Sequence, residues 1–233
     1  MNIFNKVWKY KRYLRNIIQS IYFNFHYLPF NQAIKIPILL YKPRFLELHG
    51  NIKINGNIKC GMIKLGFTGV SLYPNSGVTI ENHGGTIIFN GSCFIGNNSY
   101  ISIGNKGCVE FGDRFTATAT FRVASYNNII FGECISFGWD TLIMDTDFHK
   151  LTKLSGGYNK GYAPISIGSN NWFGNGCKIM KRTQTPNYCV VSAGTILSGK
   201  VDAPEYSVIG NEQKVIVKAT GVWRNIDDDT INY

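Results

Sequence analysis

The chain has 233 residues, 44% of them apolar, with 25 glycines and a net charge of +10; this is enough for one domain with a substantial core. Its six cysteines (Cys60, Cys93, Cys108, Cys134, Cys177 and Cys189) include no C-x-x-C pair, which excludes the usual spacing of a structural zinc site and points to reduced thiols in a cytosolic protein. No apolar run reaches 18 residues, so no membrane-spanning helix is expected, and the basic N-terminus lacks the apolar core and cleavage site of a secretory leader.

Residues 1–45 hold Lys6, Lys9, Lys11, Arg12, Arg15, Lys35, Lys42 and Arg44 and no acid, which leaves +2 for the other 188 residues. Within this segment, residues 4–22 read as an amphipathic helix. Phe4, Val7, Trp8, Leu14, Ile17, Ile18 and Ile21 recur at helical spacing, with basic residues on the opposite face. Pro29 and Pro37 interrupt any continuation. Such a helix either lies on an anionic membrane surface or packs on its own domain or a partner subunit. The rest of the chain has no basic stripe and no recognition motif, so nucleic acid is not an expected partner.

From residue 46 the pattern becomes short β segments. Ile52–Ile54, Ile58–Cys60, Val78–Ile80 and Ile87–Phe89 alternate inward and outward, with Asn and Gly at the breaks. Phe131, Phe137 and Ile143 are six residues apart, and Ile167, Phe173, Ile179, Val191 and Leu197 continue the count; only Thr185 breaks it. Gly132, Gly138, Gly168 and Gly174 directly follow four of these positions. A period of six is neither helical nor a simple strand alternation. It predicts a coiled β-solenoid over 46–200, whose strands turn a corner at a fixed interval, with an exit segment and tail over 201–233. Ile95 and Ile101 fall in phase with Phe131, with an irregular coil or small insertion near 104–125 between them. After Ile143 the count lapses and returns four repeats later at Ile167. The intervening 145–164, with Gly156, Gly157, Gly161 and Pro164, reads as a projecting loop, and long loops on regular scaffolds tend to carry function.

Three features together resemble the hexapeptide-repeat acyltransferases, and among them the polysaccharide O-acetyltransferases, over residues 75–218. They are the repeat itself, Asp145-Thr-Asp-Phe-His149 at the start of the loop, and Pro164-Ile-Ser-Ile-Gly-Ser-Asn-Asn-Trp172-Phe-Gly-Asn-Gly176. The last is followed by Val191-Ser-Ala-Gly-Thr-Ile196 and Tyr206-Ser-Val-Ile-Gly-Asn211. The resemblance implies a mainly β fold, a left-handed parallel β-helix with a projecting catalytic loop. Its hand is supplied by the resemblance alone, since crossovers between parallel strands are otherwise right-handed. Glu212 stands where the family usually has proline, and Thr185–Tyr188 depart from the apolar hexad.

The resemblance also implies a homotrimer that moves an acetyl group from acetyl-CoA to a hydroxyl of a bacterial surface glycan or its lipid-linked precursor. The location would be cytoplasmic, at the inner face of the membrane if the N-terminal helix binds there. His149 is the candidate general base, since a histidine near neutral pKa suits removal of a hydroxyl proton. Asp147 or Asp145 would orient it. The acyl-CoA would lie between subunits along Asn175, Gly176, Ser192 and Ala193, with Trp172 at the thiol end and Lys214 and Lys218 near the phosphates. Trp139, Asp140 and Asp145 are placed near the acceptor. His26 sits in the N-terminal segment, His49 and His83 in the early coils read as structural or solvent-facing, and no metal is expected. Two other readings stay open: an N-acyltransferase acting on an amino nucleotide sugar, and a non-catalytic solenoid scaffold.

Overall fold

The computed structural model describes residues 3–211 and 222–223, with side chains from Arg15 to Asn211. The fold is mainly β: a parallel β-helix of three faces, preceded by one long helix. Helix α1 (Ile3–Tyr27) runs on through the predicted 4–22 to the turn before Pro29, and the short α2 (Phe30–Ala33) follows. The first face stacks eight strands: Ile38–Leu40, Ile63–Phe67, Cys93–Asn97, Phe115–Ala119, Ser136–Phe137, Trp172–Phe173, Val190–Val191 and Val208–Ile209. The second face stacks seven, from Pro43–Leu48 to Ile196–Leu197, and the third six, from Asn51–Ile54 to Gln184–Thr185. All pairings within these faces are parallel, each strand lying on its counterpart in the preceding coil.

The solenoid begins at Ile38, inside the segment assigned to the N-terminal helix, because Ile38–Leu40 and Pro43–Leu48 already pair with the second coil. Ile58–Cys60 is not a strand. It falls in a turn, where Met62 N–H donates to Lys59 O, and the strand starts afterwards at Ile63.

Alternation explains the core. Ile95, Ala117, Phe137 and Phe173 stack inward on the first face, Ile101, Val123, Ile143 and Ile179 on the second, and Phe89, Phe111, Phe131 and Ile167 on the third. All are buried. Burial of aliphatic and aromatic side chains at about 25 cal/mol per Å2 is the main favourable term holding the coils together.

One expectation of register is corrected here. Ile95 pairs with Ala117, which pairs with Phe137, so its column is that of Phe137 and not of Phe131. These two coils contain 22 and 20 residues, whereas the last coils contain 18. The excess over two regular coils is one whole hexad, so the count returns in phase but on the wrong face. The irregularity expected near 104–125 is there: four of the extra residues fall at 104–107, between Ser99–Ile103 and Cys108–Phe111, and the other two fall between Val123 and Phe131.

From Ile95 onwards the steps from the first face to the second, and from the third to the first, are always six residues. The step from the second to the third is ten from Ile101 to Phe111, eight from Val123 to Phe131, twenty-four from Ile143 to Ile167 and six from Ile179 to Thr185. All length variation in this part of the solenoid is therefore confined to one corner. The other two corners repeat a fixed geometry, with a left-handed residue in each coil: Asn98, Thr120, Asp140, Gly176 and Gly194 at one, and Arg114, Cys134, Asn170, Tyr188 and Tyr206 at the other.

The glycines that follow the hexad positions sit where the next coil crosses closely. A Cβ on Gly138 would lie 2.7 Å from Asn175 N. Thr185 has a reason to be polar, since its hydroxyl accepts from Gly168 N–H at 3.1 Å and from Asn171 Nδ2 at 2.9 Å. Asn171 is buried and also accepts from Cys189 N–H at 2.6 Å, so the missing apolar residue is replaced by a satisfied polar knot.

Candidate active site

The long step of the variable corner is rooted rather than loose. Asp145–Asp147 and Gly161–Ala163 run antiparallel at its base: Thr146 bridges Tyr162, Asp147 N–H donates to Gly161 O at 2.6 Å, and Ala163 N–H donates to Asp145 O at 3.0 Å. Beyond this neck, Leu151–Lys153 pairs with Tyr158–Asn159, and its other edge pairs with Val222–Trp223. Phe148 adopts a left-handed conformation (φ 58°), its N–H donates to Thr146 Oγ1 at 3.0 Å, and its ring packs edge-on against Tyr126 at 4.8 Å. His149 follows directly, half-buried at the mouth of the neck.

The two aspartates of this motif have different roles. Asp145 is fully buried. Its Oδ1 accepts from Tyr126 N–H at 2.7 Å, and its Oδ2 accepts from Asn127 N–H at 2.9 Å and from the Ser125 hydroxyl at 3.2 Å. Burial pushes its carboxyl above the usual range, against the opposing pull of these donors. The expectation that Asp145 touches an acceptor or orients His149 is therefore corrected: its oxygens are spent on the corner of the coil below. Asp145→Asn is expected to lower stability by about 1–3 kcal/mol, because an amide sets one NH2 against a backbone donor. Urea unfolding checks this, and an unchanged midpoint would refute it.

Asp147 is half-buried and forms an ion pair with Lys181, which comes from the same corner one coil later. Sequence reasoning missed Lys181 because nothing in its local pattern marks it; the pairing exists only through the stacking of coils. The other histidines are placed as expected. His26 Nε2 lies 2.9 Å from Leu48 O, His49 lies beside Glu47, and His83 beside Glu81.

The residues assigned to the acyl-CoA lie elsewhere on the chain. Asn175 and Gly176 form the fixed corner between the first and second faces, and Ser192 and Ala193 occupy it one coil later. Gly176 N–H donates to Trp139 O at 2.8 Å, and Gly194 N–H donates to Asn175 O at 2.8 Å. Asn175, Ser192 and Ala193 are exposed, and Trp172 is 56% exposed on the adjoining first face. Trp139 and Asp140 belong to this corner as well. The Asp140 carboxylate accepts a hydrogen bond from Tyr73, which raises the Tyr73 hydroxyl to about 12. Tyr73 arrives on the connection between Phe67 and Val78 and was not legible in the sequence. Lys214 and Lys218 lie outside the described residues.

The structure thus gathers the proposed site residues into two groups at opposite ends of the second face. Asp145 lies five positions after Asp140 along the chain, so the groups are roughly 16 Å apart at about 3.3 Å per strand residue.

No protein-family model matches the chain, and no curated protein does. Among solved structures it is similar to the polySia-specific acetyltransferase NeuO, at 18% identity and a TM-score of 0.49, over 82% of this chain and 92% of that one. A likeness this distant bears on no residue of the site.

Proposed function

We propose that the protein is an acyl-CoA-dependent O-acetyltransferase acting on a hydroxyl of a bacterial surface glycan or its lipid-linked precursor. The observation that carries this reading is His149, which follows the neck of a rooted excursion two residues after Asp147, the partner of Lys181. In this reading His149 takes the proton of the acceptor hydroxyl as its oxygen bonds to the thioester carbonyl carbon. The resulting oxyanion collapses, the carbon–sulfur bond breaks, and the CoA thiolate recovers the proton from the imidazolium. The thiolate leaves readily, so no covalent enzyme intermediate is needed. In the same reading Asp147 contributes negative charge to the site, moderated by Lys181.

The separation of the two groups supports a site shared between copies. A homotrimer would set the Asn175–Gly176 corner of one copy against the His149 corner of the next, with the pantetheine arm between them. Calorimetric titration with acetyl-CoA tests the reading. Saturable binding near one site per chain is expected. Absence of binding up to the millimolar range in folded protein would overturn it in favour of a scaffold. Amino- and hydroxy-sugar acceptors assayed side by side then separate O- from N-transfer.

A further inference from the structure

Helix α1 is inverted relative to an ordinary covering helix. Its buried stripe is polar: Asn16, Ser20 and Asn24, four residues apart, face the solenoid. The first coil has no coil beneath it, so the backbone of Ile38–Leu40 is an open edge, and these side chains fill it. Asn24 Oδ1 accepts from Ile38 N–H at 3.1 Å and its Nδ2 donates to Ile38 O at 2.7 Å. Ser20 Oγ accepts from Leu40 N–H at 2.9 Å, and Asn16 Oδ1 accepts from Lys42 N–H at 3.0 Å. Phe23 adds one apolar anchor, stacked on Phe45 at 5.5 Å.

With its polar stripe turned inward, the helix presents its apolar residues outward. Ile17, Ile18, Ile21, Tyr22 and Phe25 are 42–57% exposed. Phe30 of α2 meets Phe25 at 6.0 Å and is more exposed still. A capping helix needs only its inner stripe, so the cap does not account for this outer face. The segment that carries it is basic in sequence: residues 1–45 hold eight lysines and arginines and no acid. That charge opposes pairing of the face with a second copy, which would set like charge against like. It favours a surface that is anionic and apolar beneath. Among the described residues no helix is long and apolar enough to cross a membrane, so the contact is with the surface.

We propose that the outer face of α1 seats the solenoid, by its N-terminal end, on a bilayer rich in anionic lipids. The test is sedimentation of the full chain with vesicles of phosphatidylglycerol and phosphatidylcholine, and with phosphatidylcholine alone, at low and high salt. The wild type is expected to bind the anionic vesicles and to release as salt rises. The double variant Ile18→Ser, Phe25→Ser should bind at least about tenfold more weakly, with an unchanged thermal midpoint and an unchanged mass by light scattering. Equal binding of variant and wild type would overturn the proposal, as would failure of the wild type to bind. A variant of lower oligomeric mass would overturn it in favour of a second copy covering the face. Should the double variant not fold, Phe25→Ser alone serves, with a smaller loss expected and the same outcomes.

Discussion

His149→Ala is expected to lower acetyl transfer by about 10^2–10^4-fold, the usual contribution of a positioned general base. The expectation rests on placement. His149 is carried by an excursion whose neck is closed by two backbone hydrogen bonds, and its neighbour Phe148 is pinned against Tyr126. The neck is closed by backbone groups, which the substitution keeps. Acetyl-CoA affinity and thermal midpoint should therefore stay within about twofold and within roughly 2 °C of wild type. CoA release with a glycan acceptor that supports turnover reads the first quantity, and calorimetry the others. Full activity in the variant would remove His149 from the mechanism. A collapse of stability would instead make it structural.

The largest expected loss of stability follows Phe131→Ala, at about 3–5 kcal/mol. Phe131 is buried in the third face and meets four other rings: Phe111 stacked at 5.4 Å, Phe115 at 5.0 Å, Phe137 at 5.8 Å and Phe121 at 6.4 Å. The parallel strands hold the backbone at fixed spacing, so the coils above and below cannot close over the void. Neighbouring coils are also the only contacts a solenoid repeat has, so a defect at mid-length weakens two interfaces together. Phe131→Leu should cost far less, because most of the volume is kept. Thermal and urea unfolding check both; equal midpoints for the alanine variant and the wild type would refute the argument.

The hexad from Phe131 to Leu197 was legible because inward residues of a regular coil repeat strictly, and it led directly to stacked parallel faces. Phase alone could not distinguish one face from another, which is how Ile95 was set in the column of Phe131. The two longer coils together add a full hexad, and a periodic signal is blind to that. Ile58–Cys60 looked like a strand because alternation over three residues also occurs in turns. His149 stood out through its motif and its place at the break of the repeat, and the structure puts it on the excursion that this break becomes. Asp145 was misread because burial is a tertiary property: the N–H groups of Tyr126 and Asn127 that claim it come from the coil below. Lys181 and Tyr73 were invisible for the same reason. The polar inner stripe of α1 was overlooked because hydrophobic periodicity marks the face that packs in most helices, whereas here an open strand edge needed hydrogen bonds more than apolar cover.

The confinement of extra residues to one corner has a consequence for how such a protein can change. Two vertices of the prism behave as rigid rails, each repeating one backbone turn in every coil from Ile95 onwards. The third is a hem that has been let out by different amounts at successive levels, while the strands on either side keep their register. New sequence can enter there without rotating any inward residue to the outside. The excursion bearing His149 is the longest such extension, so the proposed function would place the chemistry at the vertex where the chain is freest to be rewritten and the fold has least to lose.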